Sequence, residues 1–154
     1  MPLTVKRITL WRKEVENRPG VLAEILEPLA QAGADLRLVM GYRFPQDPAR
    51  SAIELYPVAG KRQTTAAQQA GLAPSDIPCL LVEGDNQPGF GARLGAALAA
   101  AGINITFLMA QVIGRKAMTA IGFADDAAAT AATKVIKGLG RPARTRGPAR
   151  KRDR

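Results

Sequence analysis

Residues 16–20 read Glu-Asn-Arg-Pro-Gly, and residues 85–89 read Asp-Asn-Gln-Pro-Gly. The two stretches lie 69 positions apart, and the same offset relates the residues that follow them, without a gap, as far as Ala32-Gly33 and Ala101-Gly102. A repeat of this length is one supersecondary unit present twice, because the repeats of solenoid proteins are shorter. The sequence therefore predicts an internal duplication.

The first copy predicts the element order β-α-β-β-α. Residues 8–14 alternate in polarity as a strand does, and an apolar stripe after the Pro-Gly turn predicts a helix that Gly33 ends. Residues 36–43 and 51–58 are predicted strands, and residues 61–70 a weaker helix. Pro19 is expected in the first turn of the first helix, where its missing N–H would have no partner in any case.

The second copy repeats this order. Strands are predicted at residues 79–83, 103–113 and 117–123, with one helix ending at Gly102 and a last helix from about residue 125 to residue 137. Two β-α-β-β-α copies predict an α+β fold of two ferredoxin-like repeats in tandem.

The closing strand of each repeat is the uncertain element of this fold. Only five residues separate Gly71 from Ile77, so that strand is missing, very short or supplied from elsewhere. The predicted division of the chain is residues 1–74 for the first repeat, 75–138 for the second and 139–154 for a disordered basic tail.

The net charge of +9 is concentrated in that tail, where residues 141–154 hold seven basic residues and one acidic residue. Residues 141–154 have no large apolar side chain, so burial cannot offset the entropy cost of ordering them. The charge of the tail favours contact with nucleic acid or an acidic surface. The tail lacks aromatic side chains that could stack on bases, so the alternative is that it only increases solubility. No nucleic-acid contact is expected of the rest of the chain.

Composition excludes several kinds of chemistry. The chain has no histidine and one cysteine, so a histidine-dependent nucleophile, a histidine-ligated zinc and an intramolecular disulfide are all excluded. Cys79 has apolar neighbours and is predicted to be a buried thiol in a reducing compartment. No carboxylate pair suits acid–base work. We therefore expect no catalytic residue, no metal and no cofactor, in a cytoplasmic protein.

One uncharged stretch, residues 94–114, is long enough to span a bilayer as a helix. The equivalent stretch of the first copy carries charged residues, and two copies of one fold cannot differ in this way. The prediction is therefore a buried helix followed by a buried strand, with no membrane span.

The motif and its setting resemble the ACT domain, a β-α-β-β-α-β regulatory module of amino-acid metabolism. The resemblance rests on an acidic residue followed by Asn-x-Pro-Gly, an Ala- and Leu-rich helix, and a closing Ala-Gly-x-(Asp/Asn)-(Leu/Ile), each present twice between about residues 5 and 138. It implies a tandem ACT protein without a catalytic domain, in which modules pair and a free amino acid binds at their interface against the Pro-Gly loop.

The chemistry of the loop is consistent with that implication. A helix N-terminus has unpaired N–H groups that suit a carboxylate, and glycine lets a ligand approach the backbone closely. The alternative is that asparagine caps the helix and Pro-Gly only shapes the turn. The amino-acid-binding residues implied by the resemblance are Asn17, Arg18, Pro19, Gly20, Val21, Asn86, Gln87, Pro88, Gly89, Phe90 and Gln111.

Two functions remain open at this point. The first is a non-catalytic regulatory protein that binds a free amino acid at these loops and at an interface between ACT modules. The second is a scaffold without a ligand, whose modules oligomerise and whose basic tail contacts a partner or nucleic acid. An apolar edge at residues 103–113 predicts a homo-oligomer, with a dimer favoured.

Overall fold

The computed structural model describes residues 2–140, and within them the chain forms two four-stranded sheets and four helices. The elements in chain order are β1 (Thr4–Ile8), β2 (Trp11–Glu16), α1 (Val21–Gln31), β3 (Leu38–Arg43), β4 (Arg50–Tyr56), α2 (Gly60–Gln69), β5 (Ala73–Pro74), β6 (Cys79–Asp85), α3 (Phe90–Ala100), β7 (Phe107–Ile113), β8 (Lys116–Gly122) and α4 (Asp126–Leu139). The predicted α+β fold of two ferredoxin-like repeats is confirmed.

Both sheets are antiparallel. The first sheet has the strand order β3-β4-β2-β5, and the second has the order β1-β6-β8-β7. Helices α1 and α2 cover one face of the first sheet, where Ile25 and Leu29 pack with Ile53 and Leu55. Helices α3 and α4 cover one face of the second sheet in the same way. In each helix the apolar residues recur at helical spacing on one side, which is why that side is buried.

The remaining faces of the two sheets pack against each other. Leu38 of the first sheet lies in one buried cluster with Cys79, Leu81 and Ala120 of the second, and Leu10 between β1 and β2 belongs to the same cluster. Strand side chains alternate between faces, so each sheet presents one apolar set to its helices and another to the opposite sheet. The molecule is therefore layered helix, sheet, sheet, helix.

The first strand of the chain belongs to the second sheet, which corrects the predicted division at residue 74. Thr4–Ile8 pairs antiparallel with Cys79–Asp85, and the chain then crosses at Thr9 and Leu10 to begin β2 in the first sheet. Residues 8–14 are therefore not one strand. No strand follows α4 within residues 2–140, so the β6 edge takes β1 as its partner.

The first sheet is closed by a very short strand. Ala73–Pro74 pairs with Arg12 and Trp11 of β2. Both closing strands thus match the predicted alternatives. Strand β5 of the first sheet is very short, and β1, which closes the second sheet, comes from elsewhere in the chain.

The end of the second repeat extends further than predicted. Helix α4 continues to Leu139, whose side chain packs against the second core, so Leu139 is not part of a disordered tail. The predicted tail from residue 141 onward lies outside the described residues. Residues 94–114 are divided between α3 and β7, and the predicted buried strand is wrong, because β7 is the edge of its sheet and is mostly exposed. No helix within residues 2–140 is long and apolar enough to cross a membrane.

Candidate functional site

Each Asn-x-Pro-Gly turn ends in a left-handed glycine that caps the next helix. Gly20 has φ 90° and is the N-cap of α1, and Gly89 has φ 79° and is the N-cap of α3. Only glycine adopts this conformation without strain, which explains the residue type at both positions. Pro19 therefore precedes the N-cap, and its predicted place in the first helical turn is wrong because the left-handed Gly20 is the N-cap and α1 begins at Val21.

Asn17 and Asn86 do not cap α1 and α3, so the alternative prediction that these asparagines are helix caps is also wrong. The Asn17 side-chain amide donates to the Pro48 carbonyl oxygen at 3.0 Å, and its backbone N–H donates to the Ala49 carbonyl at 2.8 Å. The backbone N–H of Asn86 donates to the Arg115 carbonyl at 2.8 Å. Asn17 thus ties the first Pro-Gly turn to the connection between β3 and β4, and Asn86 ties the second to the turn between β7 and β8.

The first turn borders a cavity of about 280 Å³, which we call the loop cavity. Four predicted residues, Asn17, Arg18, Gly20 and Val21, line it on the turn side. Strands β3 and β4 form the opposite side, and the further lining residues are Leu22, Gly41, Tyr42, Arg43, Ser51, Ala52 and Ile53.

Arg18, the one cation among the binding residues that the resemblance implies, is already neutralised. The Arg18 guanidinium donates to both carboxylate oxygens of Glu24, at 2.9 and 2.8 Å, and lies 3.5 Å from Glu16. These hydrogen bonds from Arg18 lower the pKa of Glu24, so the carboxylate stays ionised at neutral pH. Arg43, on the other side of the loop cavity, forms no ion pair with any residue between Pro2 and Gly140. Arg43 is therefore the cation that remains for a ligand, and sequence reasoning missed it.

The second turn has different electrostatics. Gln87 stands where the first turn has Arg18, and Arg93 stands where α1 has Glu24. The Arg93 guanidinium donates to Gln87 Oε1 at 3.0 Å and lies 5.8 Å from the centre of the Phe90 ring. The second turn is therefore positive where the first is balanced by acids.

The predicted binding residues of the second turn are not gathered around a cavity as those of the first turn are. Of the predicted residues there, only Phe90 lines one, with a volume of about 10 Å³. Pro19, Asn86, Gln87, Pro88 and Gly89 line none of four of the best-formed cavities within residues 2–140.

Gln111 lies elsewhere, in a cavity of about 660 Å³ between the repeats, which we call the inter-repeat cavity. Its lining residues are Pro2, Thr4, Arg37, Glu83, Gly84, Asp85, Gln111, Ile113, Lys116, Ala117 and Met118. The structure therefore brings the predicted residues of the first turn together but separates them from Gln111. Arg37 and Glu83 were missed because they come from different repeats and occupy unrelated positions in the repeat.

A buried polar group lies between the two sheets. The Glu54 side chain is 1% exposed, accepts a hydrogen bond from the Tyr42 hydroxyl at 3.2 Å, and lies 3.7 Å from Arg12 Nε. Glu54 Oε1 and Arg12 Nε have no hydrogen-bond partner among the described residues. Burial raises the pKa of Glu54, because desolvation disfavours the charged carboxylate.

Cys79 is buried as predicted, and burial raises its pKa to about 12. A thiol with so high a pKa is almost entirely protonated at neutral pH and is a poor nucleophile. Between Pro2 and Gly140, no group of three or more Cys, Asp or Glu residues is positioned to hold a metal ion.

Comparisons with known proteins agree on the fold. No protein-family model and no curated protein matches the sequence. Among solved structures, a protein of Bacteroides thetaiotaomicron matches with a TM-score of 0.73 and 17% identity over 88% of this chain and 90% of that one. The ligand-free regulatory subunit of aspartate kinase from Thermus thermophilus matches with a TM-score of 0.60 and 16% identity, over 92% and 99%.

An aspartate kinase of Clostridium acetobutylicum matches with a TM-score of 0.58 and 12% identity over 90% of this chain but 34% of the kinase. The class that these features define is an α+β protein of two ferredoxin-like repeats. More particularly, the chain has the tandem ACT-domain fold, as do regulatory subunits of aspartate kinase.

Proposed function

We propose that this chain is a non-catalytic regulatory protein that binds a free amino acid at its Asn-x-Pro-Gly loops. The observation that carries the proposal is the loop cavity, which the first turn and the edge strand β3 form together. Its fold is that of proteins described as regulatory subunits of aspartate kinase, which agrees with a regulatory role.

The loop cavity suits both charged groups of an amino acid. The first-turn N–H groups of α1 and the guanidinium of Arg43 favour a carboxylate. The Asn17 side-chain nitrogen is occupied by Pro48, which leaves its oxygen to accept a hydrogen bond from an ammonium group. Gly20 has no Cβ, so a ligand can reach the backbone there.

The second loop, with Asn86, Gln87, Pro88, Gly89 and Phe90, is proposed as a site completed by a second copy of the chain. Arg93 there forms no ion pair with any residue between Pro2 and Gly140 and suits a carboxylate, but the cavity that Phe90 lines has a volume of only about 10 Å³. The edge strands carry exposed apolar side chains that a partner would cover: Val39 and Tyr42 on β3, and Leu108, Val112 and Ile113 on β7. We therefore propose a homodimer, which light scattering at micromolar concentration tests, since a mass of 16.3 kDa would contradict it.

The amino-acid site is tested by a thermal-shift panel of free amino acids at millimolar concentration, followed by titration calorimetry. A ligand at about 100 times its Kd stabilises the fold by about 2.7 kcal/mol, or several degrees in Tm. The loop variant is Gly20→Ala, and its matched control is Gly33→Ala at the other end of α1, where φ is 77° and no atom lies within 4 Å of the added Cβ.

Both variants put alanine at a left-handed position and should lose about 1–2 kcal/mol of stability. Only Gly20→Ala is expected to lose the ligand-induced shift. A panel in which no amino acid shifts the Tm of the folded wild type contradicts the proposal and favours the scaffold function. Equal ligand shifts in both variants would remove the first loop from the site.

A further inference from the structure

The floor of the inter-repeat cavity is a single row of residues across the second sheet. Thr4 is the register partner of Glu83, Glu83 that of Met118, and Met118 that of Gln111. Register partners lie on the same face of a sheet, so these four side chains form one row across all four strands. All four line the cavity.

A second row lies two residues further toward the end of the sheet. There Asp85 is the partner of Lys116, and Lys116 that of Ile113. Two residues in the other direction, the same face carries Leu81 and Ala120, which are buried against the first sheet. The inner face thus changes from an apolar surface that the first sheet covers to a mixed surface that it leaves open.

Arg37 is the contribution of the first repeat to this cavity. Its backbone N–H donates to the Tyr56 carbonyl at 2.8 Å, which fixes it to the end of the first sheet. Its guanidinium forms an ion pair with Glu83 of the second sheet at 2.5 Å. The cavity is therefore complete only when the two repeats are packed as the structure has them.

The charges that line the cavity balance. Arg37 pairs with Glu83, and Lys116 pairs with Asp85 at 2.5 Å, which lowers the pKa of Asp85 and keeps it ionised. The surroundings thus have no net charge but offer two cations and two anions, next to the apolar side chains of the floor. Such a site favours a neutral molecule with separated charges over a simple anion or cation.

We propose that the inter-repeat cavity is a second amino-acid site, specific for a zwitterion with a large apolar side chain. The carboxylate is bound by Arg37, the ammonium group by Glu83, and the side chain lies over Met118 and Ile113. A volume of about 660 Å³ is within the range of small-molecule pockets and accommodates such a side chain. The ligand class rests on the proposed function, to which this inference adds a separate site and a side-chain preference.

The existing ion pairs do not oppose this binding strongly. The side chains of Arg37 and Lys116 are 46% and 76% exposed, and ion pairs at such positions contribute little to stability. A ligand carboxylate can therefore replace Glu83 on Arg37 at small cost. Because Arg37 and Glu83 belong to different repeats, the exchange links the bound ligand to the contact between the repeats.

The experiment is calorimetric titration of the full chain with L-leucine, L-methionine and L-phenylalanine. Isocaproate, which is leucine without its amino group, and isoamylamine, which is leucine without its carboxylate, serve as ligand controls. The cavity variants are Arg37→Gln, Glu83→Gln and Gln111→Ala, the last being an exposed edge-strand change outside both ion pairs. Arg50→Gln is the matched control, because it breaks the exposed Arg50–Glu14 ion pair, and neither residue lines the inter-repeat cavity or the loop cavity.

Arg37→Gln and Glu83→Gln are expected to weaken amino-acid binding about tenfold or more, since each removes a charge-assisted hydrogen bond. Arg50→Gln should leave this binding unchanged, and both leucine analogues should bind at least about tenfold more weakly than leucine.

If Gly20→Ala abolishes amino-acid binding and all three cavity variants retain it, this inference is overturned and the proposed function stands. Binding that the cavity variants lose and Gly20→Ala retains would support the inference, even if the loop site fails. A preference for charged side chains would overturn the stated specificity, and a wild type that binds no amino acid would overturn both proposals.

Discussion

Replacing Ile8 with alanine is expected to open the second sheet, although Ile8 lies within residues 1–74, the predicted first repeat. Ile8 is 6% exposed, is the register partner of Cys79, and packs with it in the cluster between the sheets. Truncation of a buried isoleucine to alanine costs about 2–5 kcal/mol. For a chain of this size that loss lowers Tm by roughly 4–20 °C.

The opening can be measured at Cys79, the single cysteine of the chain. Its side chain is fully buried and its pKa is raised to about 12, so a thiol reagent reacts with it only after the sheet opens. When reclosing is fast, the labelling rate follows the population of the open form. A loss of about 2 kcal/mol then increases the rate roughly 30-fold, and a larger loss increases it further.

The matched control is Ile53→Ala, the same change at a residue 3% exposed in the core of the first repeat. The single tryptophan, Trp11, lies in that core and reports on the first repeat by its fluorescence. We expect Ile8→Ala to speed Cys79 labelling at least as much as Ile53→Ala does. The reasoning is refuted if Ile8→Ala leaves the labelling rate at the wild-type value while lowering only the Trp11 transition, because β1 would then belong to the first sheet.

Three further changes test other parts of the structure. Burial raises the folded-state pKa of Glu54, so the wild type should lose stability as pH rises through that pKa. In Tm measured from about pH 4 to about pH 8, Glu54→Gln should show a smaller loss than the wild type, and parallel curves for the two proteins would contradict this prediction. Gly122→Ala places a Cβ in steric conflict with the Phe107 ring and should cost about 1–3 kcal/mol in urea unfolding, where a neutral result would show that the ring moves freely. Asp125→Ala removes the side-chain acceptor of the Ala128 N–H at the start of α4 and should lower stability by about 0.5–2 kcal/mol, whereas Asp125→Asn should keep most of it.

The residues of the first turn show how far sequence reasoning extends to the site. Gly20 was expected to let a ligand approach the backbone, and its left-handed conformation is a local requirement that the residue type reveals. The resemblance implied Arg18 as a binding residue, yet its guanidinium is paired with Glu24, six residues along the chain. Arg43 lines the same cavity, but nothing in the sequence brings it near the turn, since the approach of β3 to α1 sets that distance.

The sequence by itself determined the duplication, the order of the elements within each copy and the glycine at each turn. These features depend on residues close together in the chain, because helical and strand periodicity and left-handed backbone conformations are local properties.

Tertiary structure alone decided that β1 joins the second sheet, that the two sheets pack face to face, and that Arg37 meets Glu83 above the uncovered end of the second sheet. The physical reason is that backbone hydrogen bonds between strands are the same for every sequence, so an open strand edge accepts any strand that also buries its apolar face. Ile8 and Leu10 are apolar enough for either sheet, and only the packing of the whole chain distinguishes the two.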